Sequence, residues 1–242
     1  MNDLVIPLGT GSHWQNNELR YSLRGIEKHV RNLCNVVIVG ELPDWARNVV
    51  HIPSEEVATH GHERRIVEKF LAASRSPLVS ENFLMWNDDY FAVQDISATA
   101  CPYFYFATLE IAALKRRKND GYGHSIRNSW KALADAGRPI RYFDIHLPMI
   151  YNKRRFVEVM ERHDWEIPNG YVIKSLYANS IDISEDQLKE VPDLKFHGTY
   201  SLDNIRKNIK GRPLFSVSDA GLTNTMKDFI HSLYREKSKY EA

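Results

Sequence analysis

The sequence predicts an α/β fold: a mixed, mostly parallel sheet flanked by helices, with a helical elaboration in the C-terminal half. Three observations carry that expectation. Short aliphatic runs alternate with amphipathic helical patterns over residues 4–91, the order expected of a parallel sheet covered by helices. Asn35-Val36-Val37-Ile38-Val39-Gly40 is apolar almost throughout, as a strand buried on both faces requires. Two adjacent acids, Asp88 and Asp89, close the apolar pattern Phe83-Leu84-Met85-Trp86-Asn87, and open α/β sheets collect ligands at such strand ends.

Taken in order, Leu4-Val5-Ile6-Pro7-Leu8 reads as the first strand and runs into the small-residue loop Gly9-Thr10-Gly11-Ser12. Asn16 or Asn17 can cap the next helix, whose apolar face is Leu19, Leu23, Ile26 and Val30. Residues 35–40 and 48–53 form the next two strands, residues 62–75 a helix with Ile66, Val67, Phe70 and Leu71 inward, and residues 82–87 the acid-bearing strand. Further on, helices are expected at 103–118, 124–136, 153–163 and 170–178, and Ile140-Arg141-Tyr142-Phe143-Asp144-Ile145-His146 alternates like a strand. Ser184-Glu185-Asp186-Gln187 has the form of a capping box for a short helix. Ile205 and Ile209 precede a stop at Gly211, and Met226, Phe229, Ile230, Leu233 and Tyr234 trace a last amphipathic helix.

The 242 residues, 43% hydrophobic and 26% charged, suffice for one domain over 1–242. A net charge of +1 gives no global pull toward nucleic acid or an anionic membrane. Lys115-Arg116-Arg117-Lys118 and Lys153-Arg154-Arg155 read as solvated helix faces or ends. Cys34 and Cys101 make neither a disulfide framework nor a zinc spacing and read as quiet buried thiols. With neither a signal-peptide pattern nor an apolar run long enough to span a bilayer, a cytoplasmic protein is expected.

The chemistry centres on the acid pair. Buried charge is costly unless compensated. A hard cation, Mg²⁺ or Mn²⁺, held by Asp89 and Asp88 and shared with substrate phosphates would compensate it. The structural alternative is an Asn-Asp-Asp turn between two strands. Gly9, Thr10 and Gly11 offer backbone N–H groups of the kind that bind phosphate, although neither a P-loop nor a dinucleotide fingerprint is present. Arg20 and Arg24 lie one helical turn apart and read either as phosphate ligands or as a surface pair with Glu18 or Glu27. One of Arg64, Arg65, Lys69 and Arg75 can neutralise a leaving diphosphate. Asp144 and His146 share a face, where His146 can be a general base, a metal ligand, a phosphate donor or a satisfied structural group. Trp14 and Tyr90 can stack on a base or sugar, and Trp86 reads as core.

Several blocks carry a family resemblance. Asn17-Glu18-Leu19-Arg20-Tyr21-Ser22-Leu23-Arg24-Gly25-Ile26-Glu27-Lys28 resembles the "ELRYSLRSIEK" block of the Stealth family, hexose-1-phosphate transferases of bacterial capsule synthesis related to GlcNAc-1-phosphotransferase. Asn35–Gly40 with Pro43-Asp44-Trp45 is similar to "IFIVTDGQIPSWL", and Ser80-Glu81-Asn82-Phe83-Leu84-Met85-Trp86-Asn87-Asp88-Asp89 to "SEHFLYLNDD". His146-Leu147-Pro148-Met149-Ile150 is similar to "HMPHAID". The acid of the family's "YTWVDGSD" block is absent before Gly9, and its "LPTFNS" block is not recognisable around residues 54–62.

The resemblance implies a glycosyltransferase-A-like nucleotide-sugar fold, a UDP-sugar or similar donor, and a divalent metal at the acid pair. It sets Arg20, Asp88, Asp89 and His146 on family motif positions and Arg75 on the arginine of "HRIPGLSE". The chain is expected to comprise a nucleotide-sugar-binding half, 1–100, and an acceptor-side half, 101–242. The expected activity is metal-dependent transfer of a sugar, or a sugar phosphate, from a nucleotide-sugar to a hydroxyl acceptor in bacterial or phage glycan synthesis. In that scheme Asp89 binds metal directly and Asp88 assists. Asn87, Gly9, Thr10, Gly11, Arg20 and Arg75 hold the donor, and His146 or Asp144 orients the metal or activates the acceptor. Two other readings stay open: a sugar transferase acting on a DNA base, and a nucleotide-sugar-binding module without catalysis.

Overall fold

The computed structural model describes residues 1–116 and 120–242. In chain order, its first half comprises β1 (Asn2–Leu8), α1 (Asn17–His29), β2 (Val30–Arg31), β3 (Leu33–Gly40), β4 (Val50–Ile52), α2 (His62–Arg75), β5 (Asn82–Met85), β6 (Tyr90–Ala92), β7 (Ile96–Ser97) and β8 (Tyr103–Tyr105). There follow α3 (Leu109–Lys115), α4 (Gly121–Asp135), β9 (Met149–Asn152), α5 (Lys153–Glu161), α6 (Ile173–Ser180), β10 (Leu188–Glu190), β11 (Lys195–Phe196), α7 (Leu202–Ile209), β12 (Leu214–Val217) and α8 (Asn224–Leu233).

The central sheet has the order β4-β3-β1-β5-β9. β4, β3, β1 and β5 are mutually parallel, and β9 runs antiparallel on β5. Alternate residues serve opposite faces, as strand geometry demands. Val5, Val37, Val39, Phe83 and Met85 join one core cluster with α2, α5 and α6. Leu4, Ile6, Leu8, Val36, Ile38 and Leu84 join a second with α1. The unbroken apolar runs of the sequence follow from this burial on both sides. A smaller sheet, β11-β12-β6, packs with α7 and α8 around Phe91, Phe196, Phe215 and Phe229.

From β1 the chain builds outward through β3 to β4 on one side, then crosses by α2 to β5 on the other side of β1, so the strand order reverses between β1 and β5. Ligand crevices form outside the carboxyl ends of strands at such a point. The Gly9–Ser12 loop follows β1 and Asn87–Asp89 follows β5, so both stand at that crevice.

The sequence expectations fail in several places. Residues 103–118 are not one helix: Tyr103–Tyr105 pairs as β8 with β10, and only Leu109–Lys115 is helical. Arg117, Lys118 and Asn119, part of that segment and of the basic cluster, lie outside the described residues. The alternating run 140–146 is not a strand either. Its alternation is real, with Phe143 and Ile145 buried, but its N–H groups find partners other than a neighbouring strand. Phe143 N–H donates to Ser175 Oγ at 2.9 Å and His146 N–H to Asp193 Oδ1 at 3.0 Å. The strand forms after it, at β9. The capping-box segment yields only a single 3₁₀ turn, Glu185–Gln187. Cys34 is exposed rather than buried; Cys101 is buried, and burial pushes its thiol up to about 12.

Candidate functional site

Two clefts adjoin at the carboxyl end of the sheet. The first, of about 440 Å³, is lined by Gly9, Thr10, Gly11 and Ser12, by Asn87, Asp88 and Asp89, and by side chains of α2. The second, of about 610 Å³, lies over Tyr122, Tyr142, Asp144, His146 and Lys174. His62, Ile66, Asn87 and Lys195 line both, so they form the common wall.

The two acids of the pair have different surroundings. Asp89 Oδ2 accepts a hydrogen bond from Ser216 Oγ at 2.8 Å and forms an ion pair with Lys195 Nζ at 3.1 Å. Asp88 has no ion pair among the described residues. Removal from water, then the carboxylates of Asp89 and Glu18, push its carboxyl up to about 7. Glu18, buried at the second position of α1, accepts from Ser12 Oγ at 2.9 Å. The Asn-Asp-Asp turn is also real: Tyr90 N–H donates to Asn87 O at 3.2 Å, carrying the chain from β5 to β6. Turn and cleft are one feature.

Opposite the acids, α2 supplies cations. Arg65 pairs with Glu56 at 2.9 Å, and Lys69, only 3% exposed, pairs with the other oxygen of Glu56. Glycine is required at Gly40 for the chain to pass Lys69, and at Gly9 a side chain would displace the Glu56 carboxylate. A Cβ on Gly40 would lie 2.9 Å from Lys69 Cε and 2.1 Å from Leu8 O, and Gly40 adopts φ +115. A Cβ on Gly9 would lie 2.7 Å from Glu56 Oε1.

In the second cleft Asp144 accepts a hydrogen bond from the Tyr122 hydroxyl, which also meets the Tyr142 hydroxyl at 2.6 Å. Burial and then Asp144 push the neighbouring Glu63 carboxyl up to about 8. Lys174, buried beneath, donates to the carbonyls of Ile145 and Leu147, and burial lowers its pKa. His146 Nδ1 lies 2.8 Å from Asp193 Oδ2. Burial works against ionisation of Asp193, but the His146 contacts outweigh it and hold the carboxyl below its ordinary range. An ionised Asp193 only accepts, so it keeps the proton on Nδ1 and leaves Nε2 as the ring's basic nitrogen.

Gly9, Thr10, Gly11, Asn87, Asp88 and Asp89 thus come together in the first cleft, and Asp144 and His146 in the second. The structure does not bring Arg20 or Arg75 to either. Arg20 lies over the Trp45 ring at 4.3 Å and reaches Glu241 at 3.3 Å. Arg24 makes two 2.7 Å hydrogen bonds to the same carboxylate. The fully buried Glu241 side chain, 221 residues from Arg20, calls for cations there, a demand no local pattern shows. Arg75 ends α2, whose first residue is at the clefts. At 1.5 Å per residue it lies roughly 20 Å away, pairing with the exposed Glu161. Trp14 stacks on Tyr21, and Trp86 is core, as expected.

Sequence reasoning missed Lys195, Glu63, Tyr122, Lys174, Asp193 and the Glu56 partner of Lys69. Lys195 and Asp193 sit in and before a two-residue strand with no periodic signal. Glu63, at the start of the correctly expected helix 62–75, carried a usable one: the first turn of a helix behind a strand end. The first cleft also draws Lys195, Val217, Ser218 and Asp219 from beyond residue 100.

Among the described residues no group of three or more His, Cys, Asp or Glu side chains is arranged to hold a metal ion, and no helix is long and apolar enough to cross a membrane.

No protein-family model and no curated protein matches the chain. Among solved structures, an active-site mutant of LgtC superimposes with a TM-score of 0.51 at 9% identity, covering 98% of this chain and 96% of that one. The galactosyltransferase LgtC in complex with donor and acceptor sugar analogues gives the same values. The fold is that of the GT-A glycosyltransferases.

Proposed function

We propose that the protein is a glycosyltransferase that takes a nucleotide-sugar in the first cleft and a hydroxyl acceptor in the second. The observation that carries this reading is the pair of clefts sharing a wall at the β1/β5 crevice, which gives room for donor and acceptor on either side of one point. LgtC, of the same fold, was solved with donor and acceptor sugar analogues. The Stealth-like blocks fall on α1, β3 and β5, and two of them bring Glu18, Asn87, Asp88 and Asp89 to the first cleft.

In this reading the Gly9–Ser12 N–H groups and the Lys69 and Arg65 side chains take the diphosphate. Asp88 and Asp89 would hold Mg²⁺ or Mn²⁺. Asp88, a cleft carboxyl with no ion pair among the described residues, fits such an ion, and with few protein ligands nearby the remaining positions fall to water and substrate oxygens. A bound divalent ion supplies Lewis-acid stabilisation of the diphosphate leaving group. His146 Nε2, oriented by Asp193, accepts the acceptor hydroxyl proton as the new bond to the sugar C1 forms and the C1–phosphate bond breaks. Glycosyl transfer is favoured over sugar-phosphate transfer because the acid of the Stealth "YTWVDGSD" block is missing here.

Calorimetric titration of UDP-glucose and UDP-galactose, with and without Mn²⁺, tests the assignment. Binding that needs the metal and weakens at least a hundredfold in Asp88→Asn and Asp89→Ala is expected. Metal-independent binding, or binding that both variants leave intact, sinks it.

A further inference from the structure

The second cleft has an annex that the transferase reading does not use. A groove of about 290 Å³ is walled by the apolar side chains of Phe106, Ile111, Ala112 and Ile126. It shares Arg116, Tyr122 and Tyr142 with the second cleft, so the two adjoin along those side chains. Phe106 is 39% exposed and Ile111 40%, whereas most large apolar side chains of the chain are buried. The wall is rigidly tied to the second cleft: Phe106 N–H donates to Tyr142 O at 2.9 Å, and Tyr142 N–H to Ala107 O at 3.2 Å. Ala107, between them, adopts φ +59, a conformation costly for a residue with a Cβ and often kept where the site needs it.

Resting on the transferase reading, we propose that this groove binds an apolar aglycone of the acceptor, an alkyl or isoprenoid chain attached to the sugar whose hydroxyl sits in the second cleft. The two surfaces differ in the way such a molecule does. Phenols, carboxylates and a histidine suit the hydroxyls of a sugar; the groove beyond Tyr122 is walled mainly by carbon, with Lys115, whose Nζ lies 5.5 Å from the Phe106 ring, as its cation besides Arg116. Arg116 marks the junction. It is held against the Tyr122 ring at 4.7 Å and by two hydrogen bonds to Asp120, at 3.1 and 2.6 Å.

The test compares methyl with n-octyl β-D-glucoside and β-D-galactoside, below micellar concentration, by calorimetry on the full chain with UDP-glucose binding measured alongside. Each methylene taken out of water is worth about fourfold in affinity, so burial of only two gives octyl glycosides an advantage of about tenfold or more. Ile111→Ser should abolish most of that advantage and leave donor binding unchanged. Leu114→Ser, at a residue 74% exposed and outside the groove, should keep it. Donor binding without chain-length dependence, or a dependence that Ile111→Ser does not reduce, overturns the aglycone proposal alone. Failure of the wild-type chain to bind any UDP-sugar overturns the transferase reading and the proposal with it.

Discussion

The two clefts share a wall but are built by different means. The first stands on the ends of long parallel strands, and apart from Asp88 its main charged groups are ion-paired: Asp89 to Lys195, Glu56 to Lys69 and Arg65. The second stands on irregular chain, and its groups are joined by hydrogen bonds among phenols, carboxyls and one histidine. Ion pairs between mobile ends of long side chains can re-form around an incoming anion, whereas a hydrogen-bonded ring and carboxylate are already oriented. The first cleft is suited to holding charge, the second to aiming a proton acceptor.

Replacing His146 breaks that comparison most sharply. His146→Gln should lower turnover by about a hundredfold, the scale of a lost general base, with donor affinity unchanged; steady-state kinetics beside calorimetry separates the two. A parallel fall in donor affinity would mean that the clefts do not divide the work.

Lys195, in the shared wall, should respond in two opposite senses. Lys195→Met removes a cation from the donor side, so nucleotide-sugar binding should weaken about tenfold. The same change frees Asp89, so Mn²⁺ alone, followed by its paramagnetic resonance signal, should bind more tightly.

Glu63 sharpens the second side. Burial, then the Asp144 carboxylate, push its folded carboxyl up to about 8 from its ordinary 4.5. Below pH 4.5 it is protonated in both states and costs nothing. As pH rises toward 8 the unfolded chain loses the proton first, so stability falls over that window. Glu63→Gln should therefore raise the unfolding free energy by on the order of 2 kcal/mol at pH 8 and leave it unchanged at pH 4, as read by urea denaturation at the two values.

The smallest effect is expected at Arg75. Its pair with Glu161 spans 3.5 Å with both side chains about 60% exposed, so Arg75→Ala should change stability by less than about 0.5 kcal/mol and leave donor titrations unaltered. A marked loss of donor affinity would put the arginine back at the site.

How much was legible follows the same division. Residues 62–75 could be read as a helix, 35–40 as a strand and Asp88-Asp89 as a strand-end pair, because each rests on a periodicity within a dozen or so neighbours. The 140–146 run misled because alternating burial does not say who receives the backbone hydrogen bonds; here Ser175, Asp193 and nearby turns do. Arg20 misled because its partner, Glu241, is at the other end of the chain.

The sequence by itself determined the layered α/β sheet and the arrival of two acids and a glycine loop at its carboxyl edge, since burial on both faces writes itself into every residue of a strand. Only the tertiary structure decided that, among the described residues, Asp89 is ion-paired and Asp88 is not, that His146 is aimed by Asp193, and that Lys195 stands between two clefts. Those outcomes depend on which distant side chain arrives within about 3 Å, the reach of a hydrogen bond, and no local pattern encodes that.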